Sequence, residues 1–446
     1  MPRADTSFII STLMSDQRIS RIGFWLGDAS LEYGGIGPYA FRVLTSLLED
    51  FEPGWHFVLL CDSEPPETLT RTIADFPGVV GISLIPPALT NGQLEQAHEV
   101  DSATGSRFGS TEPTPPVRPH YLKQWLDGLD LDLIHFPTQT ILHRDLQIPY
   151  SLTLYGVEEL PHVDVGVPFI VTMHDVQELH FPENFTPAQR ATRAVHYWKA
   201  MEKAGKVIVS FNHVKEDLIK FFDLPPDKIH VCPIPFRSIS LREPTPAASR
   251  SYDEKYERLK PFLLYPSHTW RHKNHIQLLR ALKEVQLRHL PNLRLVCTGG
   301  INHHYHREVL AQAKMLGLED SVFFAEIVPE DELCWLYRHT ALITIPTKYE
   351  AGSFPLFEAI LLGTPVICSD VTSLPETIND RRFVFNPDDV EALSNLIFRM
   401  ISDARFRQDN ITNSYEQAHR LRQINAASYF YQTYHNLLQR PLHSDN

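Results

Sequence analysis

Short runs of β-branched, aliphatic or aromatic residues recur along the chain, each followed by a longer stretch whose apolar positions return every three or four residues. In the first half the runs lie at 21–26, 56–61, 131–135, 168–173, 206–210 and 228–232. In the second they lie at 261–266, 293–298, 321–325, 341–346, 364–369 and 382–385. Runs without polar alternation suit strands buried on both faces, and their regular exchange with helical spacing predicts parallel sheets covered by helices on both sides. Two such series predict an α/β chain of two Rossmann-like domains.

Between the series, residues 233–258 carry Pro233, Pro235, Pro244 and Pro246 among Ser, Thr and Ala, a composition that interrupts helices and strands alike. This reading divides the chain into an N-terminal extension at 1–19, a first domain at 20–240, a linker at 241–258, a second domain at 259–410 and terminal helices at 411–446 that cross back to the first domain. Residues 86–120, rich in Pro, Gly, Ser and Thr and without hydrophobic period, read as a long loop or lid.

Composition narrows the chemistry. A length of 446 residues with 43% hydrophobic and 21% charged residues is that of a globular protein of more than one core. The net charge of −13 argues against nucleic acid as a partner, because neutralising a phosphate backbone needs a surplus of Lys and Arg. The five cysteines, Cys61, Cys232, Cys297, Cys334 and Cys368, include no C-x-x-C pair and fit a reducing, cytoplasmic setting. No apolar stretch approaches the ~18 residues that span a bilayer.

The most informative segment is Y-E-A-G-S-F-P-L-F-E-A at 349–359, with Glu350 and Glu358 on either side of a turn between a buried strand and a helix from about 355 to 362. Small residues at Gly352 and Ser353 let the backbone approach a ligand, and the first free N–H groups of the helix favour an anion such as a diphosphate. On the glutamates alone, a turn residue and a helix-face carboxylate are the plainer reading. The wider run from Thr347 to Glu376, with Gly363-Thr364-Pro365-Val366 and Ser373-Leu374-Pro375-Glu376, resembles the E-x7-E region of glycosyltransferase family 4, retaining enzymes of the GT-B fold. The resemblance extends over roughly residues 20–430; Ala351 and Ser353 stand where the family often has glycines.

That resemblance implies roles. Glu350 would contact the transferred sugar and Glu358 the nucleotide ribose, while amides near Ser353, Phe354 and Leu356 cover diphosphate and ribose. In Y-P-S-H-T-W-R-H-K-N-H at 265–275, Lys273 matches the diphosphate lysine; His268 stands about where the family has arginine, and Arg271 is the substitute. His268, His272 and His275 read as solvated or capping residues, and no metal site is expected. Gly34, Gly35 and Ile36, in E-Y-G-G-I-G-P-Y, match a loop near diphosphate and acceptor, whereas Gly37 reads equally as a surface turn. Thr298 and Gly299, at the end of the 293–298 strand, complete the donor set. His174, in V-T-M-H-D-V, would hydrogen-bond a sugar hydroxyl or stabilise the oxocarbenium-like state through its carbonyl, with Asp175 orienting it.

The implied activity is transfer of a hexose, with mannose slightly favoured, from a nucleotide diphosphate sugar to a glycan or lipid-linked acceptor. No cofactor is expected beyond that co-substrate. A non-catalytic sugar-nucleotide binder remains an alternative, and so does a glycan phosphorylase, which needs a pyridoxal-binding lysine region and greater length. Asp130-Leu131-Asp132 imitates a D-x-D metal motif but precedes a strand rather than ending one. Arg190, Arg193, His196, Lys199 and Lys203 recur along one predicted helix beside Trp198; such a stripe is a solvated face or a peripheral contact with anionic lipid at the inner membrane face.

Overall fold

The structure, a computed structural model, describes residues 19–27, 36–61, 78–84, 125–139, 165–239 and 241–439, together with 65, 70 and 76. The long loop at 86–120 and the extension before residue 19 lie outside the described residues.

All strand pairs are parallel, in two sheets that face each other across a cleft. The first sheet contains β1 (Ser20–Gly27), β2 (Trp55–Cys61), β3 (Val79–Leu84), β4 (Leu133–Phe136), β5 (Phe169–Thr172), β6 (Lys206–Val209) and β7 (Ile229–Val231), in the order β3-β2-β1-β4-β5-β6-β7. The second contains β8 (Phe262–Pro266), β9 (Arg294–Thr298), β10 (Val322–Glu326), β11 (Leu342–Ile345), β12 (Val366–Ser369) and β13 (Val384–Phe385), ordered β10-β9-β8-β11-β12-β13. Strands β4, β5, β6, β8, β11 and β12 are buried at every position, which is why their sequences are mostly apolar without alternation. Strand β3 was not expected from sequence. It is an edge strand with alternating burial, and its V-V-G-I-S-L carries neither a continuous apolar run nor a clean alternation.

The first domain holds α1 (Ile36–Glu49), α2 (Gln177–His180), α3 (Pro187–Lys203) and α4 (Asn212–Phe222). The second holds α5 (Pro246–Tyr256), α6 (His275–Arg288), α7 (His303–Met315), α8 (Glu330–His339), α9 (Phe354–Leu362), α10 (Leu374–Ile378), α11 (Val390–Ser402) and α12 (Ala404–Arg422), and α13 (Ala426–Leu438) follows. Helix α5 corrects the reading of 241–258 as irregular. Thr245 caps it by accepting from Ala248 N, Pro246 sits in its first turn where no N–H is needed, and buried Tyr256 stacks on Trp335 at 5.4 Å.

Each face of the first sheet has its own core. Trp25, Ile134 and Val207 point to one, while Ile22, Phe24 and Leu133 point to the other. That second core is closed by α13, whose Phe430, Tyr431 and Tyr434 pack beside Trp55. Tyr434 Oη lies 2.8 Å from His135 Nδ1, and Tyr431 donates to Leu47 O at 2.7 Å. Thus α13 is built into the first domain, whereas α12 remains packed against α9 and α11.

Candidate active site

Strands β8 and β11 are neighbours, so the loops leaving their C-terminal ends meet at the cleft. Three contacts bind the loops together. Lys348 N and Thr347 Oγ1 donate to His272 O at 2.7 and 3.1 Å, and Asn274 Nδ2 donates to Pro346 O at 3.0 Å. Asn274 adopts the left-handed conformation that turns the chain into α6, and Tyr265 holds Lys273 O at 2.8 Å. The backbone at Lys273 is therefore fixed on both sides.

With the loops so placed, Lys273 Nζ donates to Glu350 Oε1 at 2.6 Å, both side chains being largely buried. Burial pushes the Glu350 carboxyl up from its ordinary range, the Lys273 ammonium opposes that shift, and the negative charge of Asp175 from the first domain adds to it. Glu350 N donates to Thr372 Oγ1 at 3.2 Å. Thr372 has φ of 48°, an unfavourable conformation for a β-branched residue, held at the β12–α10 turn beside the pair.

Past Glu350, Ala351 and Gly352 lead into helix α9, which starts at Phe354. Ser353 is its N-cap and accepts from Leu356 N, Pro355 lies in the first turn, and Gly363 ends it at φ of 66°. A Cβ at Gly363 would also meet the Tyr415 ring at 2.5 Å. Glu358 lies one turn along, buried, accepting from Tyr337 Oη at 2.8 Å. Its carboxyl too is pushed up by burial, against the Tyr337 hydrogen bond and the positive charge of Arg42. Because Leu356 N is already held by Ser353, that amide is engaged within the helix turn rather than directed at a ligand.

Sequence neighbours of Lys273 point elsewhere. Arg271, proposed from sequence as a second diphosphate cation, donates to Glu308 Oε1 at 2.6 Å and lies over the Tyr305 ring, half exposed against α7. The structure does not bring it to Lys273 and Glu350. His268 accepts from Gly300 N through Nδ1 at 2.8 Å; His272 and His275 are held neutral by burial, at about 2 and about 3. These rings are packed, not the solvated or capping groups suggested by their loop position. Among the described residues no group of His, Cys, Asp or Glu is arranged to hold a metal ion. Thr298 is buried, and Gly299, at φ of 108°, passes so close to Ser267 that a Cβ would lie 2.8 Å from its carbonyl carbon.

Across the cleft, His174 follows β5 and lies 3.1 Å through Nε2 from Pro137 O. A carbonyl only accepts, so Nε2 carries the proton; burial lowers the ring's pKa and keeps it neutral, and Tyr39 packs edge-on at 4.7 Å. Asp175 is held by its carbonyl, which accepts from Gln139 Nε2 at 2.6 Å. Arg193 pairs with Glu178 at 3.0 Å and approaches Asp175 at 3.9 Å. It therefore leaves the basic stripe read along α3 and turns inward, while Lys199 pairs with Glu202. Asp132, half of the D-x-D look-alike, accepts from Arg21 N at 2.8 Å and pins β1.

Gly34 and Gly35 lie outside the described residues; Ile36 begins α1, with its side chain undescribed. Sequence reasoning missed Tyr337, Thr372 and Arg42, and read Arg193 only as part of a basic stripe. Only Arg42 left a plain signal, as the one charge before Glu49 in the apolar helix I-G-P-Y-A-F-R-V-L-T-S-L-L-E. Gly352 makes the domain contact possible, since a Cβ there would lie 2.8 Å from both Ile234 Cδ1 and Phe211 Cε2.

Residues 252–417 match the family described as Glycosyl transferases group 1. The chain is 26% identical over 212 residues to O-antigen chain mannosyltransferase B of Escherichia coli, covering 47% of this chain and 55% of that protein. It is 22% identical over 246 residues to the serotype-specific mannosyltransferase WbdA of the same organism, covering 55% of this chain and 30% of that one. The matches thus span about half or less of these relatives' length. Among solved structures, HepE of Anabaena in complex with UDP and glucose superposes with a TM-score of 0.62 at 17% identity, covering 94% of this chain and 99% of that one; this likeness is one of fold.

Proposed function

We propose that this chain, a GT-B protein related to the group 1 glycosyltransferases, transfers a hexose from a nucleotide diphosphate sugar to a glycan or lipid-linked acceptor, with retention of configuration. The observation that carries the reading is the buried Lys273–Glu350 pair, 2.6 Å apart, at the foot of α9 and within the field of Asp175 of the other domain. Cleaving a sugar–diphosphate bond places negative charge on the departing phosphate oxygen. A fixed ammonium in a low-dielectric cleft stabilises that charge without reorganisation and without a metal. On this reading Glu350 holds the moving sugar, Glu358 the ribose, Ser353 and Phe354 present the helix N-terminus to the diphosphate, and His174 contacts the sugar from the acceptor side. The leaving phosphate takes the acceptor proton, and the acceptor attacks the face that phosphate departs.

Mannose is favoured as the sugar, and the two mannosyltransferase relatives support it, whereas the complex of HepE with UDP and glucose supports a UDP donor. We place the activity in the cytoplasm, at the inner face of the membrane when the acceptor is lipid-linked; no helix among the described residues is long and apolar enough to cross a bilayer. A thermal-shift panel of GDP-, UDP-, ADP- and dTDP-sugars, followed by nucleotide release with candidate acceptors, tests the reading. Stabilisation by GDP-mannose with release of GDP and an α-linked product is expected. Stabilisation by UDP-sugars alone overturns mannose, and binding without release under every acceptor overturns catalysis in favour of a sugar-nucleotide binder.

A further inference from the structure

We infer that Arg42 of the first domain is the cation that binds the phosphate next to the ribose, so that the two domains divide the diphosphate between them: Arg42 takes the α-phosphate and Lys273 the β-phosphate. This rests on the donor reading above. Helix α1 is apolar, and a lone arginine in such a helix needs a reason. Its guanidinium carbon lies 4.2 Å above the ring centroid of Phe354, the first residue of α9, and so beside that helix's N-terminal turn. Stacking on an aromatic face fixes the plane of the fork while leaving its N–H groups at the edges free to donate.

Among the described residues Arg42 forms no ion pair. The carboxylates whose charge acts on it are Glu358, four residues beyond Phe354 on the same helix and engaged by Tyr337, and Glu330 at the start of α8. Burial disfavours the charged guanidinium and Glu358 and Glu330 favour it, and since neither forms an ion pair with it among the described residues, a gap separates Arg42 from Glu358. A ribose seated in that gap offers its hydroxyls to Glu358, which brings the 5′-phosphate toward Arg42 and the α9 N-terminus. Lys273, joined to Glu350 where the sugar is held, is left with the distal phosphate. The alternative second cation, Arg271, is bound to Glu308 outside the cleft.

The test is calorimetric titration of the full chain with GDP, GMP, UDP and UMP at two salt concentrations, using the parent, Arg42→Met, Arg42→Gln, Arg42→Lys and Lys273→Met. Expected results are a loss of at least tenfold in affinity for both monophosphate and diphosphate in Arg42→Met and Arg42→Gln, with a flattened salt dependence. Arg42→Lys should retain the salt dependence, and Lys273→Met should weaken the diphosphate while leaving the monophosphate within threefold. Melting temperatures of the variants separate lost folding from lost binding, and Arg42→Gln gives a second uncharged variant should Arg42→Met not fold. Monophosphate binding within threefold of the parent in the Arg42 variants, with the diphosphate lost in Lys273→Met, overturns the inference and leaves the donor reading standing. Failure of the parent to bind either diphosphate overturns both.

Discussion

Two ion pairs leave the same loop in opposite directions. Lys273 and Glu350 meet at 2.6 Å with side chains 17% and 10% exposed; Arg271 and Glu308 meet at the same distance with 47% and 38% exposed. The chemistry and spacing are alike, yet the surroundings differ. In the cleft, low dielectric strengthens the ammonium's field and makes an unpaired charge costly, whereas at the α7 surface water screens the pair to ~0–1 kcal/mol. The comparison teaches that a basic residue near a loop motif acquires meaning from where its partner stands.

The sharpest way to break that comparison is to remove each cation in turn. Lys273→Ala should lower turnover by about two to three decades, corresponding to ~3 to 4 kcal/mol for loss of a fixed donor at a developing oxyanion. Steady-state kinetics with saturating donor measures this, and turnover within a few-fold of the parent removes the lysine from the mechanism. The same variant loses the charge that holds the Glu350 carboxyl down, so the acidic limb of its pH–rate profile should move to higher pH. The sign for stability runs the other way. A carboxyl raised on folding stabilises the fold below its unfolded pKa and loses that contribution as pH rises through its folded value, so the parent's melting temperature should fall as pH rises through that range, a fall that Glu350→Gln, destabilised throughout by its unpaired Lys273, should not show.

The next effect separates the two glutamates. Glu350→Gln, touching the sugar as it moves, should lower kcat by one to two decades with little change in donor KM. Glu358→Gln, holding the ribose before and during transfer, should raise KM by about tenfold with kcat nearly kept. Equal loss of activity in both, tracking only the fraction folded, returns the pair to a structural role. Smaller again is the cap. Ser353→Ala should cost about 1 kcal/mol of stability through loss of the hydroxyl that accepts from Leu356 N, read as a lower denaturant midpoint with unchanged slope. Last, Arg271→Ala should leave turnover within threefold and stability within ~0.5 kcal/mol. A loss of turnover like that of Lys273→Ala would show that Arg271 swings from Glu308 into the cleft when donor binds.

The two domains differ in how much of their site could be read in advance. The second domain's candidate site was legible because its chemistry is local. Glu350, Ser353 and Glu358 sit within one strand–turn–helix unit, where position in sequence nearly determines position in space. Lys273 and Glu350 lie 77 residues apart, yet both leave C-terminal strand ends of one parallel sheet, a placement that the strand pattern already implies. The first domain was less so. Strand β3 escaped because an edge strand half open to solvent needs no apolar run; outside that domain, α5, at the entry to the second, escaped because its Pro246 signals a helix start as readily as a break.

By itself, then, the sequence carried the two parallel-sheet series, the turn before α9 and the positions of the candidates Lys273, Glu350 and Glu358 at strand ends and on that helix, because strand burial and helix capping are short-range properties written in neighbouring residues. Only the tertiary structure decided which charges face the cleft. Arg271 went to Glu308, Arg193 turned in to Glu178 and Arg42 came to rest over Phe354, through contacts between elements far apart in the chain. A flexible cationic side chain can reach several partners from one backbone position. Which partner it finds is set by the packing of whole helices, and no local pattern encodes that.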